Sequence, residues 1–170
     1  MYRLAAGVAV ALSLLSVVPA PSIAADASFK ASTQETKLAD PKSVLAALGA
    51  SVFAKKDFSQ LDQLMREDYV QHNPLVAQGR KGFREFFETW FKAVPDFKYE
   101  LKKIVSEGDL VWAYGTYSGT QAGDWLGIPA TGKAYTFDAV DIFRVQDGKL
   151  AEHWDVLDVY GLFKQLGVVK

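Results

Sequence analysis

The chain has 170 residues, 49% of them hydrophobic and 13% aromatic, with a net charge of −1 and no cysteine. That is enough apolar material for one domain with a substantial core. The absence of cysteine excludes disulfides, thiolate nucleophiles, lipid attachment through a cysteine and zinc–thiolate sites, and the absence of a basic stripe excludes a nucleic-acid partner.

Residues 1–25 read as a secretory signal. Arg3 precedes an apolar run from Leu4 to Val18, then come Pro19, Pro21 and the small residues Ser22-Ile23-Ala24-Ala25 suited to cleavage. The run is too short to span a bilayer comfortably, so the expected mature protein is secreted or periplasmic and free of the membrane, the competing reading being an uncleaved N-terminal anchor. Residues 26–38 are small and polar and read as a flexible tether, leaving residues 39–170 as the folded domain.

Asp40-Pro41 predicts a helix start, with Asp as N-cap, Pro at the first helical position, and Val44, Leu45, Leu48, Val52 and Phe53 at helical spacing. A second helix is expected over about Phe58 to Arg66, followed by a short extended piece, Tyr69-Val70-Gln71-His72, that Asn73-Pro74 stops. The third helix follows Gly79-Arg80-Lys81-Gly82. Its stripe of Phe83, Phe86, Phe87, Trp90 and Phe91 is either core or the wall of a cavity.

From Phe97 the hydrophobic period changes to two, predicting strands over 99–105 and 110–117, then a loop over 121–132 carrying Trp125. Two long strands flank Asp147-Gly148, and VYGLFKQL (159–166) closes the chain as a short helix. Helices first and a meander after define an α+β domain.

The last hairpin carries the chemistry. A two-residue turn pairs Gln146 with Lys149 and, counted outward, sets Asp141 opposite Trp154. One face then holds Tyr135, Phe137, Ala139, Asp141, Phe143, Leu150, Trp154 and Val156, while His153 and Asp155 turn outward. This register is the expected one because Asp-Gly suits the tight turn and the apolar residues sort more cleanly. A three-residue turn, pairing Val145 with Lys149, would put His153 and Asp155 beside Asp141 instead. In either register Asp141 lies on an aromatic face, either held by hydrogen bonds as a buried structural carboxylate or poised as a base toward a carbon acid.

Three stretches carry a resemblance: Tyr69-Val70-Gln71-His72-Asn73-Pro74 with Gly79-Arg80, Gly127-Ile128-Pro129-Ala130-Thr131-Gly132-Lys133, and the run from Asp141 to Asp155. Through them the chain resembles the SnoaL-like polyketide cyclase family of the nuclear transport factor 2-like superfamily, over roughly Asp40 to Gly167. The resemblance implies a cone-shaped curved antiparallel or mixed sheet wrapped around the N-terminal helices. It also implies ring closure by aldol condensation without cofactor or metal, and a homodimer. In such cyclases a histidine stands where this chain has Asp141, and the base aspartate lies on the last strand, near Asp155 or Asp158.

The candidate catalytic residues are therefore Asp141, His72, Asp158, Asp155 and His153. Tyr135, Phe137, Trp154, Trp90, Phe87, Phe83 and Trp125 are the expected pocket wall. No paired-ligand spacing such as His-Glu-x-x-His points to a metal. The function classes left open are a cofactor-free lyase or isomerase on a small apolar carbonyl compound, a pocket protein that binds such a ligand without turnover, and a dimerisation module.

Overall fold

A computed structural model describes residues 40–170. The expected signal and tether, residues 1–38, lie outside the described residues. The order of elements is α1 (Pro41–Leu48), a π-helical turn (Gly49–Phe53), α2 (Leu61–Leu64), β1 (Met65–Gln71), α3 (Gly79–Ala93), β2 (Lys98–Glu107), β3 (Leu110–Thr120), β4 (Ala134–Gln146), β5 (Lys149–Leu157) and α4 (Val159–Leu166). The five strands form one mixed sheet in the order β1-β5-β4-β3-β2, with β1 parallel to β5 and the other pairs antiparallel. This is the α+β single domain that the pattern of elements predicts.

Asp40 starts α1 as read, its Oδ1 accepting from Lys42 N at 3.3 Å and its Oδ2 from Ser43 Oγ at 3.1 Å. The second helix is only one turn long. Met65 and Arg66, assigned to it by their spacing, instead open β1, because Met65 pairs with Leu150 and is fully buried there. Tertiary pairing overrides a propensity that differs little between the two states.

The aromatic stripe of α3 packs on the inner face of the sheet, where Trp90 stacks on Tyr117 at 5.3 Å and on Phe137 at 6.4 Å between ring centroids. Small residues on that face make room for rings from other elements. At Gly115 a Cβ would stand 2.6 Å from the ring of Tyr99 on β2. Alanine at this position would push Tyr99, and Phe53 packed 5.2 Å from it, out of place.

The β4–β5 hairpin departs from its expected register in an instructive way. The turn itself is the tight two-residue one, with Asp147 and Gly148 at φ +52° and +74° and Gln146 paired to Lys149. Val145 pairs with Leu150, but Arg144 pairs with Glu152, so Ala151 is an extra residue on β5. This β-bulge shifts every pairing beyond it: Phe143 faces His153, Ile142 faces Trp154 and Asp141 faces Asp155. The assignment of Trp154 and Val156 to the inner face, and of His153 and Asp155 to the outer one, is thereby reversed. The physical reason is local burial. Leu150 and Ala151 are adjacent, yet both are buried, and an unbroken strand cannot send two successive side chains inward.

Candidate active site

Between the inner face of the sheet and α3 lies a narrow apolar cavity whose enclosed volume is about 50 Å³, against about 660 Å³ when the open space at its mouth is counted. Four strands bring polar groups to it: Gln71 from the end of β1, Tyr117 from β3, Asp141 from β4, and His153 and Asp155 from β5, while Asn73 comes from the loop after β1. Phe83, Phe87, Trp90, Trp125 and Phe137, all expected in the wall, line it.

Asp141 is 7% exposed and both of its oxygens are engaged. Tyr117 donates its hydroxyl to Oδ2 at 2.9 Å, and His153 Nε2 lies 3.2 Å from Oδ1. Burial pushes the Tyr117 hydroxyl well above its ordinary value and the charge of Asp141 pushes it further, so Tyr117 stays a protonated donor.

The tautomer of His153 follows from a backbone group. Gln71 Oε1 accepts the Asn73 backbone N–H at 2.9 Å, which fixes the amide orientation, and the same oxygen is 2.9 Å from His153 Nδ1. Nδ1 must therefore carry a proton and donate. With Nδ1 donating, a hydrogen bond across the 3.2 Å between His153 Nε2 and Asp141 Oδ1 requires one proton shared by those two atoms.

Asp155 is half-buried at the cavity wall. Asn73 Oδ1 takes the Leu75 N–H at 2.9 Å, so its Nδ2 is the group that donates to Asp155 Oδ2 at 2.6 Å. Among the described residues nothing hydrogen-bonds Asp155 Oδ1. Asp141, His153 and Asp155 each offer one atom within 4.8 Å of the others, the one group among the described residues that a cation could use.

Other candidates are placed elsewhere. His72 is on the outer face of the sheet, its Nε2 2.8 Å from Glu152 Oε1 and its ring stacked on Trp154 at 4.8 Å and 5°. It does not meet Asp141, and Trp154 does not line the cavity. Arg144 Nε donates to the other oxygen of Glu152 at 2.9 Å, and the His72 and Arg144 bonds together hold Glu152 below the ordinary carboxylate range. Asp158 caps α4, accepting Gly161 N–H at 2.8 Å, and is exposed. Gly161 is required by that cap, since a Cβ would stand 2.1 Å from Asp158 Oδ2. Tyr135 is buried behind the wall, where it accepts from Trp90 Nε1 at 2.7 Å, and burial pushes its hydroxyl up to about 12.

Sequence reasoning missed Gln71, Asn73 and Tyr117. A signal for the first was present: alternation through Tyr69-Val70-Gln71-His72 with Tyr69 inward sends Gln71 inward and His72 outward.

An α+β domain of one five-stranded mixed sheet with helices packed on it is of the nuclear transport factor 2-like class. Residues 43–166 match the model of the SnoaL-like polyketide cyclase family, and the chain belongs to that family. It is similar to the aklanonic acid methyl ester cyclase of Streptomyces sp. strain C5, with 28% identity over 109 residues, 63% of this chain. That match spans 66% of the relative's length, just under two thirds. It is also similar to the nogalonic acid methyl ester cyclase of Streptomyces nogalater, 28% identical over 122 residues covering 69% of this chain and 90% of that one. Among solved structures, TsrD from Streptomyces laurentii superposes with a TM-score of 0.69 at 36% identity, covering 75% of this chain and 95% of that one.

Proposed function

We propose that this protein closes a ring by abstracting a proton next to a carbonyl of a small apolar, polyketide-like substrate, with Asp155 as base. The observation that carries this reading is Asp155, whose carboxylate lies within 4.8 Å of the Asp141–His153 pair and bonds Asn73 through Oδ2 alone among the described residues, in a cavity whose remaining lining is mostly aromatic and aliphatic. Asp141, the carboxylate singled out from the hairpin, has both oxygens bonded and is less free to take a proton from carbon.

In this mechanism Asp155 Oδ1 accepts the α-proton, and the resulting enolate carbon attacks a second carbonyl of the same molecule. The new alkoxide takes the proton held between His153 Nε2 and Asp141 Oδ1, and the Asp155 proton refills that pair. No proton is consumed overall, and neither a cofactor nor a metal takes part. Tyr117 and Gln71 act by orienting the pair. The two relatives named as methyl ester cyclases, together with the SnoaL-like polyketide cyclase family, support this substrate class.

The test needs no native substrate. 2-Tetralone carries acidified protons next to its carbonyl, and their exchange with solvent deuterium can be followed by NMR. The protein should accelerate exchange over buffer, and Asp155→Asn should remove at least about 100-fold of that acceleration. Exchange no faster than in buffer rejects the enzyme reading.

A second reading is favoured by the complete hydrogen bonding of Asp141: a protein of the same fold that binds such a ligand without turning it over. Binding of the ketone with no exchange would identify it. In either case we place the protein outside the cytoplasm, on its N-terminal sequence, and as a homodimer. The outer sheet face supports the dimer, with Trp112, Tyr114 and Val156 exposed. His153 and Asp155, expected on that face, lie on the other.

A further inference from the structure

The loop between β3 and β4 contains a two-residue turn, Leu126-Gly127. It is closed by reciprocal backbone bonds, Trp125 N–H to Ile128 O at 3.0 Å and Ile128 N–H to Trp125 O at 2.9 Å. Both turn residues are left-handed, at φ +53° and +73°. Glycine suits such a position and leucine does not, because its Cβ crowds the following carbonyl. Asparagine would occupy the first position with far less strain. A strained residue persists where its surroundings over-determine it, and Leu126 lines the same cavity as Asp141.

A second, independent observation falls on its neighbour. Trp125 also lines the cavity and is 4% exposed, yet its indole N–H has no hydrogen-bond partner among the described residues. Trp90, stacked on it at 4.7 Å, shows the ordinary arrangement, its own N–H donating to Tyr135. Buried donors are nearly always paired, so an unpaired one on a cavity wall fits a ligand acceptor.

We infer that the Trp125-Leu126 turn is a ligand clamp. The indole N–H of Trp125 donates to a carbonyl or phenolic oxygen of an apolar aromatic ligand, and Leu126 is held left-handed so that its side chain presses on the ligand's face. The inference rests on reading the cavity as a ligand site and adds a specificity element separate from Asp141, His153 and Asp155.

Two probes of matched shape test it: 2-acetylnaphthalene, which carries an acceptor, and 2-isopropylnaphthalene, which does not. By titration calorimetry the wild-type protein should prefer the ketone about tenfold, and Trp125→Phe should reduce the preference to about twofold or less. Leu126→Asn should weaken both probes about fivefold while leaving Tm unchanged or raising it by about 3 °C. A wild-type protein without preference, or a preference that survives in Trp125→Phe, overturns the N–H assignment. A Leu126→Asn protein with lowered Tm and unchanged affinities overturns the role of Leu126. Failure of both probes to bind the wild type rejects the cavity reading itself, and the clamp with it.

Discussion

The chain has two histidines, and they sit side by side across the junction of β1 and β5: His72 N–H donates to the carbonyl of His153 at 3.0 Å. Each has a carboxylate oxygen close to its Nε2, Glu152 for His72 at 2.8 Å and Asp141 for His153 at 3.2 Å. Their surroundings differ completely. His72 has a side chain 42% exposed and shares its carboxylate with Arg144, whereas His153 is 7% exposed and its other nitrogen is fixed by Gln71. Two similar-looking pairs thus have opposite prospects. Water screens the outer one, and the inner one keeps its full electrostatic weight and faces a cavity.

The device that separates them is the bulge at Ala151, and removing it should have the largest effect. Deleting Ala151 restores an unbroken ladder and turns His153, Asp155 and Leu157 outward. The expected result is loss of cooperative unfolding, measured by urea titration with circular dichroism. A deletion variant that folds and unfolds like the wild type would show that the bulge does not set the faces.

Next in size is truncation of the inner histidine. His153→Leu leaves Asp141 Oδ1 and Gln71 Oε1 short of a partner in a buried place, which should cost about 3 kcal/mol of unfolding free energy. The same change at the outer histidine, His72→Leu, should stay within about 0.5 kcal/mol. Equal losses at the two sites would mean that burial does not distinguish them.

The gentler substitution Asp141→Asn keeps an acceptor for Tyr117 and a donor toward a neutral Nε2. It should therefore cost no more than about 1 kcal/mol, while slowing 2-tetralone exchange by about tenfold or more. Stability lost without any change in exchange would place Asp141 in the fold alone.

The smallest effect concerns pH at the outer pair. Glu152 is held below its ordinary value by His72 and Arg144, so its contribution is present above that ordinary value, about 4.3, and disappears as pH falls through the lowered folded value. His72→Gln should lower Tm by about 1 °C at pH 6 and by nothing measurable near pH 2. A difference that grows as pH falls would contradict the sign.

Local chemistry made much of the fold legible in the amino-acid order. Asp40-Pro41 starts α1, alternation through Tyr135, Phe137, Ala139, Asp141 and Phe143 assigns the inner face of β4, Asp147-Gly148 makes the tight turn, and the aromatic stripe marks the buried side of α3. Each of these depends on residues within a few positions of one another, where the periods of helix and strand leave a direct imprint. The membership of the candidate site did not yield to the same reading. Whether His153 and Asp155 point inward depends on one extra residue in β5. Whether Met65 belongs to a helix or a strand depends on a parallel partner 85 positions away, Leu150. Packing against α3 and pairing with β1 decided both, because a one-residue slip costs nothing locally and exchanges the two faces of a strand entirely.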